Sequence, residues 1–358
     1  LAGRVEYLGP NLGNGSYYVV NEARILPPDD VGNSSVMEPF GNTQALGLLR
    51  PNARENAAYG FSALETLAER LTQHKAFSPS ALSAFQQVIV EARYMMEHET
   101  DTAYGMLQAQ DAQAFYDPVA VQIVDRTYRF HTYRWNETGK NHKVMELIEG
   151  IPLNKFLADE TVPFEEKRDI AQAIVLREIC SMMSGSGFDY DRHSGNYLIG
   201  SDGTIYVIDT GAKQLGELSL GDKAALGSFL ADAVKATVTP GSNTNVASVY
   251  QQYCEKYQEQ GEHVPRVVIH AQKALLALGD YAPYLDAGSS FNMVNAIRHY
   301  QGTSDFKEKS MLDEAISAHF LEQLAGQTPI VSVGIGAFRT MVPRGVGHFR
   351  LVDLSPDY

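Results

Sequence analysis

The chain has 358 residues, 44% of them hydrophobic and 20% charged, the composition of a folded globular protein long enough for two compact parts. Its 43 acidic residues outweigh 29 Lys and Arg, and the net charge of -14 excludes a general reader of phosphate backbones, so no nucleic acid is expected as a partner. The same balance argues against whole-surface attraction to anionic membranes and leaves only a local basic patch for peripheral membrane contact.

Cys180 and Cys254 each lie in an apolar, helix-like stretch with no second Cys or His at ligand spacing. Both are expected as buried, reduced thiols, which fits a reducing, cytoplasmic compartment. No apolar run approaches the roughly 18 to 20 residues of a membrane span, so no transmembrane segment is expected and the protein reads as soluble. Secretion as an effector, or peripheral association with a membrane, stays open. The chain begins at Leu1 rather than Met, which is read as a trimmed start with any targeting signal outside it.

In chain order, "LGNGSYYVVNEARIL" and "TQALGLLRP" combine turn residues with β-branched and aromatic ones and predict strands joined by turns. From Arg54 the pattern turns helical, with Phe61, Leu64, Leu67 and Leu71 on one face. Pro79 restarts a helix behind Ser78 as N-cap, running to about His98, inside a helical insertion of about 77–115. "PVAVQIVDRTYRFHTYRW" predicts paired strands, "NETGKN" the hairpin turn, and "HKVMELIEG" the returning strand, ended by Gly150 and Pro152. After that, helices are expected at about 163–185, 221–237, 245–259, 264–280 and 310–325. One hairpin interrupts them, "NYLIG" and "TIYVID" flanking a turn at Asp202 and Gly203.

The stretch "GFDYDRHSGNYLIGSDGTIYVIDTGAK", residues 187–213, carries the chemistry. Phosphoryl transfer needs a divalent metal held by carboxylate and amide oxygens and one carboxylate near the attacking hydroxyl. Asp191 is followed five residues later by Asn196, and the hairpin leads to Asp209 and Gly211 in "IDTG", the order found in protein kinases between catalytic loop and metal loop. A lone D-x-x-x-x-N carries little information, but the combination of loop, DG hairpin and second Asp is specific. Asp189 stands where protein kinases carry the His of H-R-D, and reads as a solvated loop residue. His193 reads as a loop brace or, less directly, as a proton-transfer group.

"DRHSGN…IDTG" resembles the catalytic and metal loops of the phosphatidylinositol 3- and 4-kinases, and is also similar to the UbiB-like atypical kinases with D-x-H-x-G-N and I-D-F-G. "VMELIEGIPL" at 144–153, "KALLALGDYAPYL" at 273–285 and "LLRPNARE" at 48–55 lean towards the second family. The resemblance implies an α+β, two-lobed protein-kinase-like fold: a strand-rich N-lobe over 1–148 with the helical insertion, a mostly helical C-lobe over 149–300, and a C-terminal extension over 301–358. It implies ATP and Mg2+ (or Mn2+) as cofactors, Asp191 as catalytic base with His193 beside it, and Asn196 and Asp209 as metal ligands. The connector from Glu146 to Gly150, including Ile148, would meet the adenine, and Gly13, Gly15 and Ser16 of "GNGSYYVV" would cover the phosphates.

The sequence departs from that pattern in the first lobe. Gly47 stands where the third-strand Lys is expected, and Thr210 where a Phe follows the metal Asp. Arg50, on the opposite face of that strand, and Arg24 are the replacement cations by sequence, and Glu65, or Glu55, is the helical acid that would partner the lysine. Three functions follow: transfer of the γ-phosphate to a hydroxyl of a lipid headgroup, small molecule or protein; nucleotidyl (AMP) transfer with ATP reversed; or a kinase-shaped binding or regulatory module without turnover. The acceptor is not identified by the sequence. Arg339, Arg344, Arg350 and His348 gather near the C-terminus as a solvated tail or as a contact for an anionic partner.

Overall fold

The computed structural model describes residues 5–14, 17–26, 43–75, 79–117, 119–123, 126–184, 188–210, 218–238, 246–284, 313–325 and 349–353. The fold is α+β, with strands concentrated towards the N-terminus. Two compact units are present, one grouping Leu1–Asp111, Tyr133–Glu149 and Thr210–Ala212, the other Ala112–Thr132, Gly150–Asp209 and Lys213–Tyr358. Residues 112–132 group with the second unit although they precede 133–149 of the first in the chain.

The first unit holds an antiparallel sheet in the order β1-β2-β3-β7-β6, from β1 (Val5–Asn14), β2 (Tyr18–Ile25), β3 (Thr43–Leu49), β6 (Trp135–Gly139) and β7 (His142–Glu146). Side chains alternate across a strand, so register sorts the residues by face. Ala23, Ile25, Leu46 and Val144 form the buried cluster on one face, with Val5 and Leu48 against it. The opposite face carries Tyr18 across from Leu49, and Val20 across from Gly47, which in turn faces Lys143 of β7. The hairpin turn is Lys140–Asn141 alone; Asn136–Gly139, expected as turn, are strand residues, because Glu137, Thr138 and Gly139 pair with Val144, Lys143 and His142.

Helices α1 (Ala53–Gln73), α2 (Pro79–Thr100) and α3 (Thr102–Tyr116) follow β3 in the chain. Asn52, in the left-handed region at φ 57°, turns the chain into α1. The expected apolar face of α1 is only partly used: Ala68 is buried, whereas Leu64 and Leu67 are 38% and 45% exposed. Ser78, the expected N-cap of α2, lies outside the described residues.

In the second unit, β4 (Val119–Ile123) and β5 (Arg126–Thr132) form a hairpin with each other and do not join the sheet of β6 and β7. Instead β5 runs parallel to β10 (Ile205–Val207), which pairs with β9 (Tyr197–Ile199), and β9 with the short β8 (Ile151–Pro152). On the other edge β11 (Phe349–Asp353), which contains Arg350, pairs with β4; Arg339, Arg344 and His348 fall outside the described residues.

The helices here are α4 (Leu153–Ala158), α5 (Phe164–Ser184), α6 (Leu220–Val238), α7 (Val246–Glu259), α8 (Arg266–Ala277) and α9 (Glu314–Ala325). Of these α4 has no counterpart in the sequence reading; its Leu153, Phe156 and Leu157 are buried. Helix α5 is the core element: from Ile170 to Met183 nearly every side chain is buried, the mark of a helix enclosed on all sides. Helix α8 buries only a stripe, Val267, Val268, His270, Ala271 and Ala274. Gly203, at φ 81°, makes the β9–β10 turn.

Candidate functional site

The site is built in the second unit around the loop from Asp189 to Asn196. Its anchor is Arg192, whose side chain is wholly buried. One guanidinium nitrogen donates to the Ile208 carbonyl at 2.9 Å, and the other to Asp189 Oδ2 at 2.9 Å and to the Asp209 carbonyl. One side chain thus ties the Asp191 loop to the segment that presents Asp209. The Ile208 N–H also donates to the Asn196 carbonyl at 3.0 Å, so the two segments are bonded twice over.

Asp189 is not the solvated residue the sequence suggests. It is 4% exposed, and its second oxygen accepts the Asp191 N–H at 2.8 Å. Burial pushes its carboxyl up to about 7, against the pull of Arg192 and the Asp191 N–H, with the Asp191 and Glu178 charges adding to the rise. The local sequence reads polar, but Arg192 provides the counter-charge that lets a carboxylate sit in the interior.

Below this pair, Glu178 of α5 accepts hydrogen bonds from Tyr116 at 2.7 and 2.8 Å and from Tyr197 at 2.6 Å. Burial raises its carboxyl above the usual range while Arg192, the two hydroxyls and Arg177 pull it down. The Arg192 guanidinium lies over the Tyr197 ring at 5.7 Å. The loop therefore rests on a buried floor of two arginines, two carboxylates and two tyrosines, contributed by α3, α5, β9 and the loop itself.

Asp191 points to solvent, its side chain 39% exposed, with Lys273 Nζ of α8 at 3.7 Å from Oδ1. Lys273 also lies 4.9 Å from the centre of the Tyr190 ring, which packs on His270 of the same helix at 4.2 Å. His193 is exposed, and its Nδ1 accepts the Gly195 N–H at 3.0 Å, capping the short 3-10 turn Ser194–Asn196. In this geometry it braces the loop.

Asn196 donates from Nδ2 to the Asp191 carbonyl at 2.6 Å, which fixes the amide with its oxygen turned away from that bond. Asp209 is exposed and held at φ 55°, a left-handed backbone that non-glycine residues seldom adopt and that clusters at functional positions. Among the described residues no group of three or more His, Cys, Asp or Glu could hold a metal ion by itself. An amide oxygen and one carboxylate are a partial ligand set, of the kind that phosphate oxygens and water complete on Mg2+, so Asn196 and Asp209 fit the expected role.

The expected nucleotide residues lie in the first unit, among them Ile148, a half-buried residue of the connector. Gly13 sits in β1 paired with Val20, and a Cβ there would meet nothing within 4 Å. Gly15 and Ser16 lie outside the described residues. Arg50 is exposed, its N–H bonded to the Tyr17 carbonyl at 2.8 Å. Arg24 is bonded to Glu6 at 2.6 Å. Glu146 ends β7, its N–H donating to the Arg134 carbonyl at 2.8 Å. Glu65 pairs with Arg93 of α2 at 2.6 Å, so this acid serves a helix–helix contact rather than a strand lysine. A cavity of about 740 Å³ in this unit, lined by Arg54, Glu97, Thr102 and Lys140 among others, includes none of the expected nucleotide residues.

Sequence comparison bears on this arrangement. Residues 41–238, from the start of β3 to the end of α6, match the ABC1 atypical kinase-like domain. The chain belongs to the ABC1 atypical kinase-like family. That span includes Gly47, Asp191, Asn196 and Asp209, and the atypical kinase-like part of the sequence resemblance stands with it. No curated protein matches the chain. Among solved structures, Rv3197 of Mycobacterium tuberculosis, determined in complex with erythromycin, is similar over 79% of this ABC1 chain and 74% of its own. The TM-score is 0.50 at 17% identity, a likeness of fold alone.

Both cysteines are free; Cys180 is buried, and burial pushes its thiol up to about 12, whereas Cys254 is only half-buried, against expectation. Among the described residues no helix is long and apolar enough to cross a membrane.

Proposed function

We propose that this ABC1 domain is an ATP- and metal-dependent phosphotransferase of the atypical kinase type, moving the γ-phosphate to a hydroxyl of a lipid headgroup, small molecule or protein. The observation that carries the reading is the Arg192 clasp, which bonds the segment presenting Asp209 to the loop presenting Asp191 and Asn196. Burying a guanidinium to hold two exposed carboxylates on neighbouring segments is costly for stability alone, and serves a site that must be preorganised.

In this reading Asn196 and Asp209 hold Mg2+, which, when bound, neutralises charge on the transferring phosphates. Asp191 orients the acceptor hydroxyl and takes its proton, and Lys273 restrains the Asp191 carboxylate. His193 keeps the loop in its turn, and Glu146 and Ile148 offer main-chain groups to the adenine. The absent lysine at Gly47 favours a second reading, a kinase-shaped binding module, for which Rv3197 in its erythromycin complex offers a fold-level precedent.

Incubation with Mg2+ and ATP labelled at either the γ- or the α-phosphate separates these. Movement of the γ label to an acceptor, or its release as phosphate, is the expected result. Movement of the α label means nucleotidyl transfer, and retention of both labels on bound ATP means a binding module.

A further inference from the structure

The third-strand lysine is missing from its usual place, yet the space above that place is not empty. Gly47 of β3 stands directly across from Lys143 of β7, and residues in direct register share one face of a sheet. A Cβ at Gly47 would come within 2.8 Å of Lys143 Cγ and 3.0 Å of its Cε. The lysine stem therefore lies flat across the glycine, and it can do so because Gly47 has no side chain. Gly47 is buried beneath it, while Lys143 itself is half-exposed.

The stem ends between two aromatic rings, with Nζ 4.5 Å from the centre of Tyr18 and 5.1 Å from that of Trp135. Among the described residues no carboxylate pairs with it, and Glu65, the acid expected to hold a lysine here, is engaged by Arg93. A cation resting on ring faces is held more weakly than one bonded to an anion, and it is available to a phosphate that arrives on the same face. That face also carries Ala45 of β3 and Val20 of β2, the strand that follows the expected glycine-rich turn.

Resting on the nucleotide-binding reading above, we propose that Lys143 is the phosphate-binding cation of this protein. The ammonium reaches the position of the missing third-strand lysine from the neighbouring strand, and Gly47 is the residue that lets it pass. It binds the nonbridging phosphate oxygens of a nucleoside triphosphate. Tyr18 and Trp135 replace the helical acid as the groups that hold the lysine before nucleotide arrives.

The test uses the full chain and measures affinity for ATP with Mg2+, and for adenosine, by calorimetry. Lys143→Met keeps the stem and removes the charge; it is expected to weaken ATP binding about tenfold or more and to leave adenosine binding unchanged. Gly47→Lys in the Lys143→Met chain moves the cation back to β3 and is expected to recover most of the loss, a result that a merely misfolded variant could not give. Arg50→Ala and Arg24→Ala are expected to weaken ATP binding less than Lys143→Met does. If the unaltered protein binds ATP and Lys143→Met binds it equally well, the assignment of Lys143 is wrong while the nucleotide-binding reading survives. A tenfold loss in Arg50→Ala with none in Lys143→Met moves the role to Arg50 and likewise overturns the assignment. If the unaltered protein binds neither ATP nor adenosine with Mg2+ or Mn2+, both readings fall.

Discussion

Replacing Arg192 with methionine removes the side chain that, alone among the described residues, links the Asp189 carboxylate to the carbonyls of Ile208 and Asp209. Above about pH 7, where Asp189 is ionised in the folded protein, taking one partner from its buried ion pair costs about 3–5 kcal/mol, because the other charge stays behind without compensation. The two carbonyls lose their donor as well, at about 1 kcal/mol each. The expected loss is about 5–7 kcal/mol, comparable with the whole stability of many domains, about 5–15 kcal/mol. Adding Asp189→Asn removes the stranded charge, so the double variant is expected to recover at least about 2 kcal/mol of that loss. Urea unfolding followed by far-UV circular dichroism measures both variants. The single tryptophan, Trp135, belongs to the first unit, and its fluorescence reports that unit separately. An Arg192→Met protein within about 1 kcal/mol of the unaltered one would refute the clasp, as would a double variant less stable than the single one.

Asp209→Ala is expected to abolish Mg2+-dependent ATP binding, whereas Asp191→Ala binds ATP normally and loses turnover, because a metal ligand acts in the ground state and a hydroxyl-orienting carboxylate chiefly in the transition state; calorimetry and single-turnover transfer measured on both variants distinguish the roles. Asp189 gives a pH dependence: an aspartate ionises near 4 in an unfolded chain and at about 7 in the folded protein, so between those values the folded state holds a proton the unfolded state has released. The stability linked to this group is complete below about pH 4 and is lost as pH rises through about 7, and the stability difference between the unaltered protein and Asp189→Asn is expected to fall over that window in urea titrations. Cys180, buried with its thiol pushed up to about 12, is expected to resist a thiol reagent at neutral pH until the second unit unfolds, while the half-buried Cys254 reacts first, as mass spectrometry of timed samples would record.

What the sequence reveals is what is written locally. The α5 and α8 helices, the β9–β10 hairpin and the spacing from Asp191 to Asn196 are set by neighbouring residues, and each is present where the pattern puts it. Asp189 was legible only as a polar loop residue, since its burial depends on Arg192 and on a carbonyl beyond the hairpin. "NETG" has turn composition, yet cross-strand pairing to β7 overrides it. Lys143 carries no signal at all in one dimension, because its meaning lies in facing Gly47, a residue from a distant part of the chain. The pairing of Glu65 with Arg93 is hidden for the same reason: nothing near Glu65 in the chain announces it.

The parallel pairing of β5 with β10 also bears on how the protein is made. Translation delivers β5 before the rest of the first unit's sheet, since β6 and β7 follow it, and long before β10. Until residue 207 has left the ribosome, β5 has β4 on one side and an open hydrogen-bonding edge on the other. At about 5–20 residues per second that edge is unprotected for several seconds. The first unit's sheet has all its strands once β7 has emerged, whereas β5 still waits for β10, so the nascent chain is most vulnerable to misassociation at the strand on which the hairpin of the Asp209 segment will later be built.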